Sequence, residues 1–243
     1  MRVKLTLEYD GSAYAGWQLQ AEQDSIQGRV ESALLQIFGV AVRVSGAGRT
    51  DSGVHARGQV ASAVLPREFD PADLKRALNA LLPPDIAVLA AEATAQDFDP
   101  RRDARSRVYE YRVLNRESRS AFEFHHAWLV RGPLDLEAMR AAALEFVGEH
   151  DFAAFRTLGS EEKTTRRRVL ASDWRRAGEV LCYRVEASSF LRHMVRTMVA
   201  AMVDAGHGKI ARGDIAALLT SGYRAAAPAP APGCGLYLME VRY

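Results

Sequence analysis

The densest collection of chemically capable side chains lies at residues 46–60, GAGRTDSGVHARGQV. A single carboxylate, Asp51, stands there among small residues, with Arg49, His55 and Arg57 close by. Glycines lack a Cβ and let backbone N–H groups approach an anion, so such a stretch first suggests a phosphate cradle. Neither familiar cradle fits. The dinucleotide fingerprint needs glycine where Asp51 stands, and a carboxylate there would repel a pyrophosphate. The P-loop needs a lysine after Gly53, and none follows. Two roles remain for Asp51: a turn residue that caps its own backbone, or a carboxylate with space around it for a reaction.

The elements that must position this loop follow from periodicity. VKLTLEY (3–9) alternates as a half-buried strand. Asp24 or Ser25 can cap a helix whose apolar stripe is Ile26, Val30, Ala33, Leu34, Ile37 and Phe38, closed by Gly39. Strands 41–46 and 58–65 flank the glycine loop, a helix spans about 72–82, and IAVLAAEAT follows as a strand. The pattern then starts again. Strands fall at 107–114 and 127–131, a helix at 136–147, strands near 169–176 and 180–187, and a strongly periodic helix at about 189–205. A short helix near 214–220 and a terminal strand, LYLMEVRY, complete the chain. This reading is an α+β protein of two similar halves, divided near the arginine-rich segment into residues 1–104 and 105–243.

The chain has 243 residues, 48% of them apolar, enough for a full core, with a formal net charge of +2. No run is long enough to span a bilayer, and the N-terminus alternates apolar with polar residues unlike a secretory signal; the expectation is a cytoplasmic protein with no membrane partner. Cys182 and Cys234 are far apart and outside any C-x-x-C pair, so no disulfide framework and no metal site is expected. The charge is unevenly spread. Residues 101–119 hold seven arginines against three acids, and Lys163 with Arg166, Arg167 and Arg168 forms a second basic cluster. Arginine-rich stretches suit bidentate phosphate contacts, and equally suit solvated faces.

GAGRTDSGVHA at 46–56 resembles the catalytic motif of the tRNA pseudouridine synthases of the TruA family. The likeness extends, in family order, through YDGSAYAGWQ (9–18), NALLPPDIAV (79–88), ARSRVYEYRV (104–113), HDFAAFR (150–156), FLRHMVR (190–196) and GLYL (235–238), so it covers nearly the whole chain. Small departures are Ser52, where alanine is frequent, and Arg192, where others carry histidine. The resemblance implies two RRM-like (ferredoxin-like) halves joined in a largely antiparallel mixed sheet, with helices on one side and an active-site cleft on the other. It further implies a homodimer that isomerises uridine to pseudouridine at positions 38, 39 and 40 of the tRNA anticodon stem-loop. Asp51 is then the nucleophile, Tyr109 the active-site tyrosine, and Arg196 the arginine paired with Asp51. Arg49 helps hold the flipped nucleotide, and Leu236 packs under the base.

The reaction breaks a C–N glycosidic bond, turns the uracil and rejoins it through carbon, with no redox change and no group transferred, so no cofactor is expected. The carboxylate could attack the anomeric carbon or remove a sugar proton, and the sequence leaves both routes open. Either role wants an ionised Asp51, which a neighbouring guanidinium favours. A stem uridine must first be flipped out of its stack, at a cost of a few kcal/mol. His55 and Arg57 are candidate contacts to the RNA backbone, or plain loop residues. Two other readings compete: a non-catalytic structured-RNA-binding protein, which would not need Asp51, and a nucleotide-dependent enzyme, which the motif mismatches oppose.

Overall fold

A computed structural model describes residues 1–157, 164–223 and 226–243. Lys163, counted above in the second basic cluster, lies outside the described residues. The described residues form ten strands and five α-helices, an α+β protein as the pattern predicts. They divide into two compact units, 1–105 with 237–243, and 106–236.

In the first unit, β1 (Arg2–Tyr9) is followed by α1 (Ile26–Phe38), β2 (Val44–Gly46), β3 (His55–Val64), α2 (Pro71–Leu81) and β4 (Ile86–Ala93). β1 pairs antiparallel with both β3 and β4, and β2 pairs antiparallel with β3. That order, β4-β1-β3-β2 with a helix on each crossover, is the ferredoxin-like arrangement. The alternating apolar side of β1, Val3, Leu5, Leu7 and Tyr9, is buried together with Ile26, Val30 and Leu34 of α1 and Leu74 and Leu78 of α2. Ser25 caps α1, its Oγ accepting from Gly28 N at 3.3 Å, and Gly39 ends the helix in the left-handed region at φ 71°.

Two boundaries differ from the sequence reading. β2 is confined to 44–46, and α1 holds its first residue: Val44 N donates to Glu31 Oε1 and Val44 O accepts from Gln27 Nε2. β3 starts three residues earlier than expected, at His55, because the C-terminal strand β10 (Leu236–Arg242) pairs parallel with it through Tyr237–His55 and Leu238–Ala56. The sequence places that last strand in the second half, whereas residues 237–243 belong to the first unit. Arg105 N donates to Arg242 O at 2.7 Å, and Tyr243 Oη donates to Pro100 O at 2.9 Å.

The second unit contains β5 (Ser106–Asn115), β6 (Trp128–Val130), α3 (Leu136–Leu144), β7 (Gly148–Asp151), β8 (Arg166–Ala177), β9 (Val180–Ala187), α4 (Met194–Gly206) and α5 (Arg212–Ser221). The order β5-β9-β8-β7 is antiparallel throughout, with β6 parallel along β5. One sheet side carries Tyr111, Tyr183 and Trp174 in register. α4 packs on that side, where Trp174 Nε1 lies 3.1 Å from Met202 Sδ. β7 escapes the sequence reading because GEHD has neither alternation nor apolar content; its pairing with β8 makes it a strand.

α4 begins five residues later than expected. Leu191 to His193 form a turn, His193 sits at φ 64°, and Thr157 holds it by its Oγ1, 2.7 Å from His193 Nδ1, and its N–H, which donates to Arg192 O. Phe190 therefore lies in a loop and not on the helix stripe, while Arg196 falls in the first turn of the helix. Among the described residues no helix is long and apolar enough to cross a membrane.

Candidate active site

Three amides of the glycine loop in the first unit are bonded within the protein. Ala47 N donates to Val60 O, Gly53 N to Tyr14 O and Val54 N to Asp51 O, while Gln59 Nε2 donates to Gly48 O at 2.8 Å. No amide of that set is left to cradle a phosphate. The small residues serve close packing instead: a Cβ on Gly46 would lie 2.6 Å from the Trp17 indole. Asp51 opens a tight turn across 51–54, with Gly53 at φ 73° supplying the left-handed residue that such a turn requires.

The partner of this loop is the DGSAYAGW segment, residues 10–17. Trp17 N donates to Thr50 O at 3.0 Å, and Ser52 Oγ donates to Tyr14 O at 3.2 Å. Gly16 adopts φ 105°, and a Cβ there would stand 2.4 Å from Thr50 O and 2.9 Å from the Asp51 carbonyl carbon. A Cβ on Gly11 would strike Val54 O at 2.0 Å. The two segments are thus pressed together backbone to backbone, which only glycine permits at these points. Asp51 itself is half-buried.

The other expected residues of the first unit take different places. Arg49 is exposed. Arg57 is exposed on β3 and 3.4 Å from Glu8, a surface pair that is worth little by itself. His55 does not fit a direct RNA contact, since its ring is 2% exposed. Its Nδ1 accepts from Gly11 N at 3.1 Å, and the ring stacks on Tyr237 with centroids 4.6 Å apart. The same Nδ1 lies 3.1 Å from Asp10 Oδ1, a contact that needs a proton on Nδ1, whereas the Gly11 bond needs that nitrogen bare.

In the second unit Tyr109 is half-buried on β5, on the same side as Tyr111, and its ring meets Phe190 edge-on at 5.0 Å. Arg196 is half-buried on α4 and is tied to the chain ahead of β10: Nε donates to Ala231 O at 2.6 Å, and Ala231 N donates to Arg196 O at 3.1 Å. Tyr111 Oη donates to Pro232 O at 2.8 Å, and a Cβ on Gly235 would lie 2.7 Å from the Tyr111 ring. Burial drives the Tyr111 hydroxyl far above its ordinary range, with Cys234 adding to the rise and Arg196 opposing it, so the phenol stays neutral. Leu236, at the end of this segment, is buried. The strand, the helix and the 231–236 segment therefore gather Arg196 and the approach to Leu236 around Tyr111.

Several arginines of the basic stretch are spent internally. Arg112 pairs with the buried Glu110 at 3.1 Å, and Arg116 with Glu179 at 2.9 Å. Arg107 is 8% exposed and donates to Ser188 O. Sequence counting missed this because it cannot see which acids fold back. It also assigned no role to Tyr9, Tyr14, Gly16 and Trp17, although two glycines among aromatics signal close backbone approach.

Fold and site together define a class: an α+β protein whose first unit presents a carboxylate on a rigid turn, and whose second carries a tyrosine strand and an arginine helix. The family profile described as tRNA pseudouridine synthase matches residues 6–102 and 142–243. The chain is 45% identical over 244 residues to tRNA pseudouridine synthase A of Myxococcus xanthus, covering 100% of this chain and 92% of that one. It is 44% identical over 241 residues to the protein of that name in Pelobacter propionicus, covering 99% of both. For Geobacter sulfurreducens the figure is 45% over 241 residues, again with 99% of both covered. The chain belongs to the tRNA pseudouridine synthase family, whose members are isomerases. Tyr109 falls between the two profile segments but inside the full-length likeness.

Proposed function

We propose that this chain converts uridine to pseudouridine at positions 38, 39 and 40 of the tRNA anticodon stem-loop, with Asp51 as the reacting carboxylate. The supporting observation is full-length similarity to enzymes named tRNA pseudouridine synthase A, combined with a turn that immobilises the Asp51 backbone. In this reading the nucleotide is flipped out of its stem. Asp51 acts on the ribose and the N–C bond breaks. The uracil turns within the pocket and rejoins through its carbon, and the proton released from that carbon balances the one the ring nitrogen gains. Every atom of the substrate is retained, so the chemistry requires no cofactor.

Tyr109 stacks on the extruded base, Arg196 keeps Asp51 negative, Leu236 packs beneath the base and Arg49 holds the nucleotide. Arg57 and other exposed arginines meet phosphate. The substrate-binding enzyme is a cytoplasmic homodimer whose two basic surfaces together grip one tRNA, compensating for a net charge of only +2 per chain. Light scattering that reads the mass of one chain removes the dimer.

The test is incubation of the purified protein with unmodified tRNA transcript, without added cofactor, followed by nucleoside analysis. Asp51→Asn and Asp51→Ala are expected to abolish product while leaving tRNA affinity within about twofold, because the lost step is chemical. Product formation by Asp51→Asn at the original rate removes the reading. Tight tRNA binding by the unaltered protein with no carbon-linked uridine leaves a non-catalytic RNA-binding protein.

A further inference from the structure

We infer that Tyr9 and Thr50 form a buried hydroxyl pair whose task is to position Asp51 for reaction, a role for residues that never touch RNA. The inference rests on the reading of Asp51 as the reacting carboxylate. Thr50 precedes Asp51, and its Oγ1 lies 2.9 Å from Tyr9 Oη. Tyr9 is 4% exposed and Thr50 6% exposed, so neither is open to a macromolecular substrate.

Gln59 Nε2 donates to Tyr9 Oη at 3.4 Å, an arrangement in which the phenol proton is available to Thr50 Oγ1. Burial pushes the Tyr9 hydroxyl up to about 12, so that proton is present at any pH where the enzyme works. Gln59 also holds Gly48 O, so one buried amide ties both ends of the segment that leads into Asp51.

Around Asp51 the main chain is held from four sides. Trp17 grips Thr50 O, Gly16 lies under the Thr50–Asp51 peptide, Val54 N closes the turn on Asp51 O, and Tyr14 O takes the donors of Ser52 and Gly53. The contacts to Thr50 O and from Gly16 are backbone contacts. The Tyr9–Thr50 bond adds a buried side-chain tether to the residue whose peptide leads into Asp51. A carboxylate that must meet one ribose carbon or proton tolerates little error in place, since a misplacement of about 1 Å can cost about a hundredfold in rate.

The experiment measures single-turnover and steady-state pseudouridine formation on unmodified tRNA transcript with the full chain. Tyr9→Phe and Thr50→Val each delete one hydroxyl at nearly constant volume. Each is expected to lower kcat about tenfold or more, with KM and tRNA affinity within about twofold. The double variant is expected to be no slower than the slower single variant, because both remove one interaction. Thr50→Ser, which keeps the hydroxyl, is expected to stay within about twofold of the unaltered kcat. A role in stability alone would lower the melting temperature and spare kcat at a temperature where all variants are folded. The inference is overturned if Tyr9→Phe and Thr50→Val keep kcat within about twofold, or if their losses multiply as independent effects. Should Asp51→Asn still form product, the functional reading falls. Should Asp51→Asn be inactive while both hydroxyl variants are fully active, the positioning role alone falls.

Discussion

At the scale of single residues, the first unit spends its polar groups on holding a loop still. A tight turn with an aspartate at its first position is ordinary. What separates this one is that the loop's amides at 47, 53 and 54 are all satisfied by the protein, so the backbone on either side of Asp51 is held in place. The buried tyrosines give a prediction at this scale. Burial raises the hydroxyl of Tyr9 to about 12 and those of Tyr111 and Tyr183 as well, from an ordinary value of 10.0. A raised folded value means that the neutral form is the one folding favours. The stabilisation is therefore complete below pH 10 and is lost as pH climbs through the folded values. Thermal melts should be insensitive to these tyrosines at neutral pH and fall steeply in the alkaline range, with tyrosinate absorbance rising in step with unfolding. Absorbance near pH 10 that accounts for all eight tyrosines while the fold persists would contradict it.

At the scale of elements, the two kinds of left-handed glycine separate fold from site. Gly39 ends α1 at φ 71° with open space for 4 Å around the point where a Cβ would stand, so Gly39→Ala meets only the backbone penalty, about 1–2 kcal/mol. Gly16 has φ 105° and Thr50 O at 2.4 Å, so Gly16→Ala combines the backbone penalty with a collision against the Asp51 peptide. Urea unfolding should show Gly39→Ala as a modest loss of stability with turnover retained. Gly16→Ala should lose turnover out of proportion to any loss of stability. Equal turnover in the two variants would count against the rigid loop. The element boundaries were legible wherever a cap or stripe announced them, as at Ser25 and Gly39. They were obscure where a distant partner set them: His55 joins β3 because of a strand some 180 residues later, and α4 starts late because Thr157 holds His193.

At the scale of the whole molecule, the first unit is built from both ends of the chain. Residues 237–243 return to pair with β3, stack Tyr237 on His55 and anchor Tyr243 to Pro100. A fragment of residues 1–105 lacks these partners and is expected to unfold with poor cooperativity. Adding a peptide of residues 236–243, or fusing it by a flexible linker, should restore a sharper urea transition and protect β3 amides from hydrogen exchange. A fragment 1–105 as stable alone as with the peptide would show that β10 is dispensable.

Local rules were enough for much of this protein: strand alternation, helix stripes, caps, the α+β class and the ordered motifs that mark the family can all be read along the chain, because each depends on neighbours a few residues apart. The candidate Asp51 was legible for the same reason. Only the tertiary structure decided that Gly46 packs against Trp17, that His55 is enclosed, that several arginines are already paired, and that Tyr9 reaches Thr50. Each of these turns on contacts between residues tens to hundreds of positions apart, and burial and hydrogen-bond partnership are properties of the folded neighbourhood, which no local pattern encodes.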